Sequence, residues 1–252
     1  MSSAWPVIAA VLLDVDDTLI DTRAAMVAAG EAAVAGLRPE AGATVHHAGA
    51  VRFHADPGGF FLRFTSGELS FREMREARVA DLLESLSVAA TGEVMLRFEE
   101  VYGPVFAANV RLFGDVLPFI EAAGRVGTPM GLLTNSSSLY TAQKLELTGL
   151  AGVFDVVATR DTLGLGKPDA RAFRHACGLL GTAPAETLYV GDHLEIDAIA
   201  ARDAGLPAVW LQRDQGAPRS DSVDALSRAR AHARGIPVVS SLCQVPALLP
   251  EG

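Results

Sequence analysis

Val7-Ile8-Ala9-Ala10-Val11-Leu12-Leu13-Asp14-Val15-Asp16-Asp17-Thr18 opens on seven apolar residues and then turns abruptly acidic. An apolar run of this length without polar alternation predicts a strand, Val7–Asp14, covered on both faces in a parallel sheet. Met130–Thr134, Phe154–Ala158, Thr187–Gly191 and Ala208–Leu211 repeat the pattern, with a last short run at Pro237–Ser240. Helical patterns separate most of them. Between Asp169 and Gly181, residues Phe173, Ala176, Cys177 and Leu180 share one helical face, and Gly181 suits a stop. Strand–helix alternation over this length predicts an α/β fold: a doubly wound, mostly parallel, Rossmann-like sheet.

The gap between the first two strands is too long for a simple crossover. Asp21 is placed to cap a helix over Thr22–Leu37, and Ser70 with Glu73 forms a capping box opening Phe71–Leu86. A third helix is expected from about Thr91 to Ala108, while Arg38–Gly67 has no clear period. The expected organisation is an α/β core from residues 1–21 and 113–252 with an inserted α-helical domain at 22–112. His46, His47 and His54 have no acidic partners at metal-ligand spacing and read as surface or loop residues. Phe53, Phe60, Phe61 and Phe64 read as core of the insert. The polar stretch Gly216–Gly235 reads as a solvated loop and short surface helix.

With 21 Lys+Arg against 30 Asp+Glu, the formal charge is −9, and 50% of the 252 residues are hydrophobic. Such a composition excludes a disordered chain. Its acidic balance disfavours nucleic acid and anionic membrane surfaces as main partners. Cys177 and Cys243 are too few for a disulfide framework or a zinc cluster and suit a reducing compartment. Met1–Leu13 lacks a basic start and is cut off by Asp14, so neither a signal peptide nor a membrane span is expected, and the chain reads as cytoplasmic. The basic residues are 19 arginines and only two lysines, Lys144 and Lys167.

In an open parallel sheet, sites form beyond the carboxyl ends of the strands. There the sequence places Asp14-Val15-Asp16-Asp17-Thr18, then Thr134-Asn135-Ser136, then Gly166-Lys167-Pro168, then Gly191-Asp192 with Asp197 five residues on. Asp17 and Asp21 suit helix caps. Paired negative charge such as Asp14 and Asp16 at the end of a buried strand is costly unless a cation is near.

These four motifs, in this order, resemble the haloacid dehalogenase-like hydrolase superfamily, and the likeness covers about Val7–Leu211. The long helical insert resembles the helical cap of its phosphatase branch. The resemblance implies that Asp14 is a nucleophile forming an aspartyl-phosphate and that Asp16 is a general acid and then base. It implies that Thr134, Asn135 and Lys167 bind the phosphoryl group, with Thr134 and Lys167 counted among the catalytic residues. Asp14, Asp192 and the Asp16 backbone carbonyl would hold Mg²⁺, with Asp197 behind them orienting water or Lys167. Up to four carboxylates against one lysine would repel phosphate, so strict Mg²⁺ dependence is expected.

The expected function is therefore Mg²⁺-dependent hydrolysis of a small phosphate monoester, a phosphorylated metabolite held under a closing cap. Dehalogenases of the family lack an Asp two residues after the nucleophile, whereas Asp16 is present. The phosphonate-cleaving branch needs a cap lysine, and 22–112 contains none. Phosphomutases share the motifs and stay open as an alternative. A silent phosphate-binding module would have lost one of Asp14, Asp16, Lys167 or Asp192, and all are present. The segment Gly191–Asp197 resembles the branch that includes nucleotide, flavin-mononucleotide and sugar-phosphate phosphatases.

Overall fold

A computed structural model describes residues 7–213 and 221–245. The chain divides into two compact units, Met1–Ile20 with Leu112–Gly252, and Asp21–Arg111.

The inserted unit is helical throughout: α1 (Thr22–Leu37), α2 (Ala43–Ala55), α3 (Phe60–Thr65), α4 (Phe71–Ser85) and α5 (Gly92–Asn109). Asp21 accepts the Ala24 N–H at 3.0 Å and so starts α1. At α4, the Ser70 hydroxyl accepts the Glu73 N–H at 3.2 Å and the Glu73 carboxylate accepts the Ser70 N–H at 2.8 Å, the expected capping box. The aperiodic stretch Arg38–Gly67 contains two of the helices. An added Cβ on Gly30 would lie 2.9 Å from the Ala50 Cβ, so α1 and α2 touch through small residues. A contact of that kind leaves no stripe of large apolar residues for a periodicity reading to detect.

Phe53 packs in the insert core against Phe98 and Tyr102, and Phe64 is buried as well. Phe61 departs from the expectation: it is 38% exposed on the six-residue α3, and Phe60 is half-buried. One turn and a half of helix cannot bury three phenylalanines on a single face. His46 and His47 lie on α2 rather than in a loop. His46 meets the Arg38 carbonyl at 2.8 Å, and His47 pairs with Glu31. Half-buried His54 is pushed down to about 4 by burial, then by Arg23 and Arg78.

The core unit is a six-stranded parallel sheet: β1 (Ala10–Leu13), β2 (Met130–Thr134), β3 (Val156–Thr159), β4 (Thr187–Gly191), β5 (Ala208–Leu211) and β6 (Val238–Val239). With it go α6 (Val116–Arg125), α7 (Ser138–Leu147), α8 (Arg160–Leu163), α9 (Ala170–Leu180), α10 (Ala200–Ala204) and α11 (Asp221–Ala233). The strand order is β3-β2-β1-β4-β5-β6, with Val11 opposite both Met130 and Leu188. The first and third apolar runs begin before their strands do, because Val7 is 78% exposed and Phe154 is buried without a ladder partner. Apolarity marks burial, and a strand also needs a neighbour. Leu12, Leu133, Phe173, Ala176, Cys177 and Tyr189 form one face of the core, with the predicted face of α9 packed in it.

The chain leaves β1, builds outward through β2 and β3, and returns to β4 on the other side of β1. The carboxyl ends of β1 and β4 therefore flank the switch point where open α/β sheets bind ligands. Of the polar stretch Gly216–Gly235, residues 216–220 lie outside the described residues. The rest is mostly α11, where Arg230 pairs with Glu195 at 2.6 Å and Ala231 is buried. Among the described residues, no helix is long and apolar enough to cross a membrane.

Candidate active site

Beyond β1 the chain turns at once. The Val15 carbonyl accepts the N–H groups of Leu19 at 2.9 Å and Ile20 at 3.1 Å, and Asp17 takes a positive φ of 57°, which Asp tolerates better than most residues. This loop leaves Asp14 buried, at 6% exposure. The Thr18 hydroxyl stands 3.5 Å from both the Asp14 and the Asp192 carboxylates. Arg213, just past β5, clamps the loop from behind: its guanidinium donates to the Thr18 carbonyl at 2.6 Å and to Asp115 at 2.9 Å.

Lys167 enters from the loop before α9, 3% exposed. Its ammonium donates to Asp14 Oδ1 at 2.6 Å, to Asp197 Oδ1 at 2.6 Å and to the Tyr189 hydroxyl at 2.9 Å. An ammonium has three protons in a compact tetrahedral array, and all three are used; a planar guanidinium does not fit that arrangement. Burial works against the charge on Lys167, but Asp14 and Asp197 more than reverse it and hold the group firmly protonated. Tyr189, on β4, also donates to Asp197 Oδ1 at 2.8 Å, and burial pushes its hydroxyl well up.

Asp197 sits in a single turn of π-helix, Leu194–Ile199, where the His193 carbonyl accepts the N–H groups of Asp197 at 2.9 Å and Ala198 at 3.3 Å. The wide turn directs Asp197 back to the strand end, where its Oδ2 accepts the His193 N–H at 3.0 Å. Gly191 makes room: an added Cβ there would lie 2.5 Å from the Asp197 Cγ. The Asp192 carbonyl is held by the Trp210 indole N–H at 2.7 Å.

Thr134 ends β2 at 2% exposure and accepts the Ser136 N–H at 3.1 Å on its hydroxyl oxygen, which leaves its proton to be donated. Asn135, expected from the sequence to help bind the phosphoryl group, has its side-chain amide engaged with the Lys167 loop: it donates to the Lys167 carbonyl at 2.8 Å and accepts the Lys167 N–H at 2.7 Å. Both ends of the amide are spent on fixing the Lys167 loop, as a buried amide must be satisfied.

Asp16 is met by a residue that the strand-end reading passed over. Lys144, on α7 and 6% exposed, donates to both Asp16 carboxylate oxygens, at 2.6 and 2.8 Å. A signal was present in the composition: in a chain that otherwise uses arginine, both lysines are buried here, each on one carboxylate of Asp14-Val15-Asp16.

Oxygens of Asp14, Asp192 and Asp197 lie within 4.8 Å of one another. Burial, then Asp197 and Asp16 against the opposing Lys167, push Asp14 up to about 7. Burial, Asp197, Asp14 and Asp17 push Asp192 well up too. Crowded hard oxygen donors short of positive charge suit a divalent metal ion. Within this cluster Asp197 also serves Lys167, Tyr189 and the His193 N–H.

Comparison with known proteins agrees with this geometry. The family model for haloacid dehalogenase-like hydrolases matches residues 8–205. The chain belongs to the haloacid dehalogenase-like hydrolases. A plasmid-encoded phosphoglycolate phosphatase of Cupriavidus necator is 31% identical to this hydrolase over 247 residues, 95% of the chain and 92% of that protein. A phosphoglycolate phosphatase of Thiobacillus denitrificans is 35% identical over 119 residues, 47% of this chain. A phosphoserine phosphatase of Thermus thermophilus is 40% identical over 102 residues, 40% of this chain. Those two matches span only 52% and 41% of the relatives' own lengths. Among solved structures, a HAD-hydrolase of Bacillus subtilis bound to magnesium aligns with a TM-score of 0.72 at 19% identity, over 98% of this chain and all of that one. A defluorinating L-2-haloacid dehalogenase aligns at 0.74 and 19% identity, over 98% of this chain and 97% of that one. At such identity the two structures establish the fold of this hydrolase, while its chemistry has to be read from the site.

Proposed function

We propose that this hydrolase is a Mg²⁺-dependent phosphatase of a small phosphorylated metabolite, working through an aspartyl-phosphate on Asp14. The observation that carries the reading is the contrast between two carboxylates two residues apart. Asp14 is buried on Lys167, and Asp16, its side chain 32% exposed, is held by Lys144. Two carboxyl groups in unlike settings are what separate nucleophile from acid–base roles.

In the first step an Asp14 carboxylate oxygen attacks phosphorus, the bond to the alcohol oxygen breaks, and Asp16 gives that oxygen its proton. Lys167 and the Thr134 hydroxyl hold the transferring group, Lys167 in turn being held in place by Asp197, Tyr189 and the amide of Asn135. In the second step Asp16, now a carboxylate, takes a proton from water as its oxygen attacks phosphorus, and Asp14 is released as a carboxylate with inorganic phosphate. Asp14, Asp192 and the Asp16 backbone carbonyl would hold Mg²⁺, which when bound offsets the negative charge of the phosphoryl oxygens and the carboxylates. Asp16 also argues against dehalogenation, where no alkoxide needs a proton.

Small phosphorylated acids are supported as substrates by the names of the relatives, phosphoglycolate and phosphoserine phosphatases. We assign substrate selection to the inserted helical unit, as in capped members of the family. Two cysteines outside any disulfide support a cytoplasmic setting. The test is turnover of p-nitrophenyl phosphate and of a phosphate-ester panel including 2-phosphoglycolate, with Mg²⁺ present. Hydrolysis of at least one ester is expected, and silence across the panel would sink the reading.

Gly191→Ala tests the packing behind Lys167. The new methyl must displace Asp197, and a misplacement of about 1 Å can cost about 100-fold in rate. A loss of that order in kcat/KM is expected, and activity within a factor of about three of wild type would contradict the tight fit.

A further inference from the structure

Lys144 is a buried cation at this site that the mechanism above leaves without a task. It projects from α7, the helix that follows Thr134-Asn135-Ser136, and its Nζ meets both oxygens of a carboxylate 128 residues away in the chain. Its side chain is 7% exposed while that of Asp16 is 32% exposed, so the cation is sheltered and the carboxylate reaches the open side. Stability does not explain such a residue. Burying an ammonium is costly before pairing, and an apolar side chain of similar length is often as stable or better. What the pair does achieve is geometric: a carboxylate gripped at both oxygens has its side-chain torsions and its plane fixed, where a free Asp samples several.

We propose that Lys144 is a positioning residue for Asp16, fixing the plane of its carboxyl group so that it faces the leaving-group oxygen; this rests on the phosphatase reading of the site. In this role Lys144 acts through the Asp16 carboxylate that its ammonium meets and not on the phosphoryl group itself. Its contribution is therefore felt only where the leaving group needs a proton.

The test compares wild type, Lys144→Met, Lys144→Arg, Asp16→Ala and the double variant Asp16→Ala/Lys144→Met on two esters. One is p-nitrophenyl phosphate, whose leaving group departs without protonation, and the other is the best alkyl phosphate found in the panel. The readout is kcat/KM, which covers every step through departure of the alcohol. Lys144→Met is expected to lower kcat/KM for the alkyl ester by about 10- to 100-fold and for p-nitrophenyl phosphate by less than about threefold, within the range of lost acid–base assistance. Lys144→Arg, which keeps a donor for Asp16, should recover part of the alkyl-ester loss. In the Asp16→Ala background, Lys144→Met should cost nothing further, because the residue acts through a carboxylate that is gone.

Equal losses on the two esters, or losses that add in the double variant, would make Lys144 a general structural residue and overturn the proposal. So would unchanged or faster turnover of the alkyl ester in Lys144→Met. Should Lys144→Met fail to fold, the Lys144→Arg ester ratio and the additivity of Lys144→Arg with Asp16→Ala decide the same question. A wild-type enzyme inert on all esters would instead fail the phosphatase reading itself, and this inference with it.

Discussion

Asp14→Asn is expected to remove turnover of every phosphate ester, by at least about 10⁴-fold in kcat, while leaving the protein folded. The amide keeps the size and shape of the carboxylate but cannot form the acyl-phosphate bond. Lys167 keeps Asp197 and Tyr189 as partners, so the buried ammonium is not stranded. The substitution also removes a carboxylate that burial and its neighbours Asp197 and Asp16 push up to about 7. In the absence of metal the variant should therefore melt no lower than wild type at pH 7.5, the behaviour of a site whose charges serve chemistry at some expense of stability. Calorimetry and an ester assay together check this. Turnover within about 100-fold of wild type would remove Asp14 from the nucleophile's place.

Chelation is the second large effect. Exhaustive removal of divalent ions should abolish turnover, and Mg²⁺ should restore it. The same carboxylates predict how Mg²⁺ alters stability with pH. Burial first, then Asp197 and Asp16 against Lys167, raise Asp14 from 3.8 to about 7, so between those values the folded, metal-free protein binds a proton that the unfolded chain has lost. Stability from this group is complete below about 4 and is lost as pH rises through about 7. Asp192, raised by burial, Asp197, Asp14 and Asp17, acts in the same sense. A cation takes the place of those protons. Saturating Mg²⁺ should raise the melting temperature by roughly 5–10 °C at pH 7.5, the size of a ligand held well above its Kd in a chain of this length. At pH 5 protons compete and the gain should shrink toward zero. Equal gains at both values, or full activity in a chelator, would show that the carboxylate cluster does not hold the metal.

Much of the core was legible before any coordinates. The apolar runs locate the strands because a parallel strand covered on both faces has few polar positions to spare, and the residues that follow each run then fall at one sheet edge. The start of α1 at Asp21 and the box at Ser70 and Glu73 were legible because caps are local: donor and acceptor lie within four residues. The insert was harder where α1 meets α2, since Gly30 against Ala50 is a contact of small residues with no periodic stripe.

Motif reading and folding divide the site itself. Asp14, Asp16, Thr134, Lys167, Asp192 and Asp197 stand in motifs, each recognisable from a few neighbouring residues at a strand end. Their partners do not. Tyr189 lies inside an apolar strand, Arg213 just past another, and Lys144 in the middle of a helix, and none differs locally from a core or surface residue of its type. Only the folded chain brings Tyr189 to Lys167, Arg213 to the Thr18 carbonyl and Lys144 to Asp16. It likewise makes the Asn135 side chain a brace for the Lys167 loop. The strand positions, the helix caps and the strand-end carboxylates follow from patterns within reach of one window of sequence. Which of the two lysines serves which carboxylate of Asp14-Val15-Asp16 depends on approaches between residues more than a hundred positions apart, and those are set by packing.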